Sequence, residues 1–194
     1  MMDLMGRWKP NAGGRLQQAA IELYSERGFD QTTVAEIAQR AGLTERTFFR
    51  HFADKREVLF WGEDSLHDLL VLAVTGAPHS ASPIDAVAAG LKATVAIYFQ
   101  TRPREQAQQR QAVIAANARL QERELIKLSA LASGVADALR RRGVAEPAAS
   151  LAAEAGVAVS KVAVARWIGD TAGGSLSQHI DESLGELQAL AARG

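Results

Sequence analysis

Cysteine is absent from the 194 residues, which excludes a disulfide framework and any thiolate metal site. Net charge is absent too. With 22 Lys and Arg against 22 Asp and Glu, the molecule as a whole has no pull on a polyanion, so any nucleic-acid contact has to come from a local cluster. No apolar run approaches the roughly 20 residues that cross a bilayer, and the first residues carry no signal-peptide hydrophobic region. The expectation is a cytoplasmic protein with no membrane role. Histidines are few and scattered (His51, His67, His79, His179), with no pair at a spacing of three or four, so no metal site is expected. No serine sits in G-x-S-x-G, and neither a Walker phosphate loop nor a dinucleotide G-x-G-x-x-G occurs. Neither an enzyme nor a cofactor is expected.

What is present is concentrated between Thr33 and Lys55, TVAEIAQRAGLTERTFFRHFADK. Val34, Ile37, Ala38 and Ala41 repeat at helical spacing, and Thr33 with Glu36 three residues on forms a capping box at the helix start. Gly42 ends it, because a sharp exit from a helix needs positive φ. Thr44 then caps a second short helix with Glu45, Arg46 and Thr47 on its first turn and Leu43, Phe48 and Phe52 behind. This is a helix-turn-helix pattern, whose second helix enters the DNA major groove. The charge agrees: from Arg40 to Arg56 there are five Arg or Lys against the two acids Glu45 and Asp54. In such a groove Arg46 and Thr47 would reach bases, and His51 and Lys55 would touch phosphates.

Over about thirty residues the chain resembles the TetR family of transcriptional regulators. The resemblance rests on Gly28-Phe29, Thr32-Thr33-Val34, Ile37-Ala38, Ala41-Gly42-Leu43-Thr44, Phe49-Arg50-His51-Phe52 and Lys55. It implies an all-α fold, with an N-terminal three-helix helix-turn-helix DNA-binding domain and a C-terminal helical ligand-binding and dimerisation domain. It also implies a homodimer on an inverted-repeat operator, a repressor released by a small molecule. The DNA-binding residues it indicates are Thr33, Thr44, Glu45, Arg46, Thr47, Phe49, Arg50, His51 and Lys55. At Phe49 the family usually has a tyrosine whose hydroxyl meets a phosphate; a phenyl ring cannot donate that bond but can pack on sugar or a thymine methyl.

Along the chain, residues 1–14 lack periodicity and read as a flexible arm; Arg7, Trp8 and Lys9 suit a minor-groove arm, although a frayed terminus is simpler. Residues 15–60 form the DNA-binding domain, opened by a helix with Leu16, Ala19, Ala20, Leu23 and Tyr24 on one face. Asp54 and Glu57 start a fourth helix expected to run on through Leu59, Leu66, Leu69 and Leu70. Residues 61–194 form the remaining domain, broken at 76–83 by two prolines. Arg140, Arg141 and Arg142 suit the dipole of their own helix's last turn.

From Pro147 to about Ile168 the pattern is apolar nearly all round, so this helix needs cover on more than one side. With the last helix it is expected to form the dimer interface, through Leu151, Ala155, Ala158, Val162, Ile180, Leu184 and Leu187. The run from Arg110 to Arg142 is similar to the C-terminal domain of mycofactocin-type regulators, which implies an acyl-CoA-like ligand. Leu66, Leu70, Tyr98, Phe99 and Trp167 would line its apolar part, and Arg110, Arg119 and Arg123 would meet phosphates. The plainer reading makes these arginines surface ion-pair partners and the aromatics core. A helical small-molecule-binding protein or an enzyme is the alternative function, but it leaves Thr33 to Lys55 unexplained.

Overall fold

A computed structural model describes residues 11–98 and 103–192. These residues are helical, with no strand among them: α1 (Ala12–Arg27), α2 (Val34–Arg40), α3 (Glu45–His51), a 3-10 turn (Glu57–Phe60), α4 (Glu63–Thr75), α5 (Pro83–Tyr98), α6 (Arg104–Ala115), α7 (Ala118–Arg141), α8 (Ala148–Gly169) and α9 (Leu176–Ala192). The all-helical expectation holds. Two compact units result: residues 1–61 with 109–121, and residues 62–108 with 122–194.

The first unit also takes in a stretch from much later in the chain than residues 15–60. The end of α6 and the start of α7 belong to it, and their Val113, Ile114 and Leu120 are buried in one cluster with Leu16, Ile21, Leu23, Ile37, Phe48 and Leu59. A three-helix corner has little interior of its own, and apolar side chains brought in from later in the chain remove more surface from water. The start of the chain also differs from expectation. α1 begins at Ala12, capped by Asn11, whose side chain accepts from the Gly14 N–H at 2.9 Å, so only residues before it remain as the proposed arm. Arg7, Trp8 and Lys9 lie outside the described residues.

The fourth helix is not continuous from Asp54. Asp54 accepts from the Arg56 and Glu57 backbone N–H groups and so starts only the 3-10 turn. Gly62, with φ of 84°, breaks the chain before α4. That conformation is costly for any residue with a Cβ, so the apolar spacing across Leu59 and Leu66 does not come from one helix.

In the second unit Leu70, Val74, Val87, Leu91, Leu139, Ala153, Ala163 and Ile180 form the core. Arg142 caps a different helix from its own, donating to the carbonyls of Val74 (3.0 Å), Ala77 and Pro78 (2.8 Å), where α4 ends. Arg140 pairs with Asp137 and Glu146. Sequence favoured the shared role of a dipole cap because it cannot show which helix end lies within reach. α8 also corrects the reading of apolar runs. It has 22 residues and a window of mean hydropathy 1.4, long and apolar enough by composition to cross a membrane. Counting only uninterrupted apolar residues missed it, because Glu154 and Lys161 interrupt the run. One of its faces, with Ala149, Ala152, Ala153, Gly156, Val159, Ala163 and Trp167, is buried within the unit.

Candidate nucleic-acid interface

The corner between α2 and α3 is fixed by backbone hydrogen bonding. Thr33 and Glu36 form the capping box, the Thr33 N–H donating to the Glu36 carboxylate at 2.8 Å. At the other end of α2 the Gly42 N–H donates to the Gln39 carbonyl (2.9 Å) and the Leu43 N–H to that of Ala38 (2.8 Å). This paired arrangement is a Schellman motif, and Gly42 has the φ of 65° it requires. Arg15 from α1 donates to the Ala41 carbonyl and ties the turn down. The Thr44 hydroxyl accepts from the Thr47 N–H at 3.2 Å and starts α3.

α3 is held by Phe48, which is 0% exposed, and by Phe52, whose ring centroid lies 5.2 Å away. At 100° per residue, the direction opposite Phe48 falls between Arg46 and Arg50, with Phe49 on one flank and Thr47 on the other. Arg46, Phe49, Arg50 and His51 are exposed and Thr47 half-buried; Thr33, Thr44 and Glu45 are exposed at the two helix starts.

Of the five basic residues counted in the sequence, three are engaged within the unit. Arg40 binds the Glu26 carboxylate through both terminal nitrogens (2.9 and 3.0 Å) and also meets Glu22. Arg56 pairs with Asp54 at 2.6 Å, and its guanidinium with the neighbouring backbone N–H groups holds the Asp54 carboxyl below its usual range. Lys55 donates to the carbonyls of Phe29 (2.8 Å) and Thr32 (3.0 Å), and its ammonium lies 4.3 Å from the Phe29 ring centroid. An ammonium so engaged braces the turn before α2, which is a different task from the phosphate contact expected of Lys55. Its own carbonyl accepts from the Tyr24 hydroxyl at 2.7 Å, and burial, aided by the nearby Asp54 charge, pushes that phenol's pKa up. Arg46 and Arg50 have no ion-pair partner among the described residues. Both are on α3.

The expected ligand residues fall in both units. Arg110 and Arg119 belong to the first. Arg110 donates to the Leu59 carbonyl at 2.9 Å and lies over the Phe60 ring, and Arg119 faces Asp30 at 3.8 Å. Leu66, Leu70, Tyr98, Arg123 and Trp167 belong to the second. Leu70 and Trp167 are core residues, and the Arg104 guanidinium lies 5.3 Å from the Trp167 ring centroid. Phe99 lies outside the described residues. Of the three arginines, Arg110 is engaged with a backbone carbonyl and a ring of the first unit, while Arg119 and Arg123 follow one another at a spacing of four on α7.

The expected dimer residues also divide. Leu151 (66% exposed), Val162 (47%), Ala155 and Ala158 follow at spacings of four, three and four on the face of α8 that leaves the core. Ile180 is 1% exposed within its own unit's core, and Leu184 and Leu187 pack against the same cluster. Of the α9 stripe, Ile180 is therefore fully inside its own unit, while Leu184 and Leu187 stay half-buried at its edge.

Residues 16–60 match the bacterial regulatory proteins of the tetR family. The regulator TcmR of Streptomyces glaucescens is 32% identical over 81 residues, covering 42% of this chain and 36% of that protein. A protein assigned as the mycofactocin biosynthesis regulator MftR of Mycobacterium tuberculosis is 36% identical over 63 residues, 32% of this chain and 31% of that one. The chain thus matches about a third of the length of these curated relatives, and a match that short does not extend the mycofactocin subgroup to it. A solved structure from Syntrophomonas wolfei, classed with the TetR-family regulators, superposes with a TM-score of 0.63 at 15% identity, covering 94% of this chain and 95% of that one. Residues 16–60 form a tetR-type helix-turn-helix domain, and the fold as a whole is TetR-like.

Proposed function

Starting from a tetR-type DNA-binding domain, we propose that the chain is a homodimeric transcriptional regulator that binds an inverted-repeat operator through α3 and represses until a small molecule releases it. The observation that supports this best is the distribution of cations on the corner. Arg46 and Arg50 extend uncommitted from a helix whose back is anchored, while Arg40, Lys55 and Arg56 are engaged with the first unit itself. Guanidinium groups of this kind suit guanine edges and phosphates.

Sequencing the DNA that copurifies with the protein would supply the operator, and substitutions would then assign the contacts. Arg46→Ala is expected to relax preference at one or two base positions, at a cost of about 1–3 kcal/mol on the cognate site. Arg50→Ala should weaken all sequences alike and lower the salt slope by about one. Lys55→Ala should leave the salt slope unchanged and lower the unfolding midpoint instead, because its hydrogen bonds are to backbone carbonyls. A flatter slope in the Lys55 variant would return that residue to the phosphate backbone. Equal loss on cognate and random DNA for Arg46→Ala would remove its base-reading role.

For the effector we propose a small apolar molecule held among the helices of the second unit. The narrower reading of an acyl-CoA places a phosphate contact at Arg123, which shares a unit with Leu66, Leu70, Tyr98 and Trp167. Titrating the operator complex with acyl-CoAs and with the matching free fatty acids separates the two. Release by thioesters alone, lost in an Arg123→Ala variant, supports the narrower reading. Equal release by both discards the phosphate contact, and release by neither discards acyl ligands altogether.

A further inference from the structure

We propose that Phe49 is a specificity residue that reads the 5-methyl group of a thymine, an inference that rests on α3 occupying the major groove. A phenyl ring 56% exposed on the flank of a short helix, beside the uncommitted Arg46, keeps apolar surface in water unless a partner covers it. It is also held in position. Its ring stands edge-on to Phe48, centroids 5.5 Å apart at 79°, and Phe48 is 0% exposed. The ring can neither donate nor accept, so a phosphate oxygen or the polar edge of a guanine, adenine or cytosine would lose water against it and gain no hydrogen bond. Thymine alone of the four bases presents an apolar group in the major groove. Phe49 lies beside Arg46 on the outward half of α3, so its thymine would neighbour the base pair that Arg46 reads.

The test uses the full-length protein and its selected operator, with each thymine replaced in turn by deoxyuridine, which removes only the methyl group. The unsubstituted protein is expected to lose roughly fourfold in affinity per half-site at one thymine position, the worth of one buried methyl group. Phe49→Ala should bind thymine and uracil equally at that position and retain every other preference, including the one set by Arg46. Because Phe49 is exposed, the variant should keep its helical circular dichroism and melting behaviour. Two results would overturn the inference: indifference of the unsubstituted protein to uracil everywhere, or a Phe49→Ala loss equal on thymine and uracil duplexes, which would place the ring against the sugar–phosphate backbone. Failure of the DNA-binding reading itself looks different, since then no duplex is retained selectively by the unsubstituted protein.

Discussion

Ala158→Glu is expected to separate the proposed dimer and to abolish tight operator binding in the same step. Leu151, Ala155, Ala158 and Val162 occupy one face of α8, turned away from the core side occupied by Ala152, Gly156, Val159 and Ala163. If a second copy covers this face, a glutamate in it loses its water without gaining a partner. The penalty is on the order of 3 kcal/mol, or about 100-fold in the dimer dissociation constant. Operator affinity should fall further still, because a monomer reads one half-site of an inverted repeat. Sedimentation velocity over a concentration series and a titration on the operator would measure both. An Ala158→Glu protein that sediments as the unsubstituted dimer would move the interface off this face. Ile180→Glu is the instructive contrast, since Ile180 is 1% exposed among residues of its own unit. That substitution should unfold the helical core rather than release intact monomers.

Phe48→Ala should cost the first unit about 3–5 kcal/mol, the usual range for removing a fully buried aromatic and leaving a cavity. Phe48 is 0% exposed and meets Phe49 and Phe52 by ring contacts. A domain has only about 5–15 kcal/mol to lose, so much of the population would unfold well below the original midpoint, and DNA binding would fail with it. Urea unfolding followed by circular dichroism gives the value, with Phe49→Ala as the neighbour expected to shift it by less than about 1 kcal/mol. A loss below about 1 kcal/mol for Phe48→Ala would mean that α3 is anchored by something other than this ring.

The two phenylalanines show what is legible in a local pattern. Helical periodicity placed Phe48 and Phe52 behind α3 and left Phe49 outward, and the structure agrees, because orientation on a short helix depends on spacing alone. The capping box of Thr33 and Glu36, the Gly42 turn and the Thr44 cap were legible for the same reason: each is decided by residues within four or five positions of one another. The fourth helix was misread because its apolar spacing continued across a break. A glycine at Gly62 is compatible with a helix until the backbone there takes positive φ.

By itself, the sequence determined the helical class, the helix-turn-helix corner and the residues on each side of α3, all set by short-range periodicity and end-capping. Only the tertiary structure decided which charges are engaged. Lys55 looked available in the sequence because the carbonyls of Phe29 and Thr32 that it binds lie more than twenty residues away. Arg110 looked like a member of an arginine cluster until α6 brought it to Leu59, 51 residues earlier in the chain. Tertiary packing likewise decided that Leu176 and Ile180 of α9 are buried in their own unit's core while Leu151 and Val162 of α8 are exposed on theirs. An apolar stripe specifies that a face is to be buried; whether the same chain or another copy buries it depends on which helices pack alongside, and that is a long-range outcome.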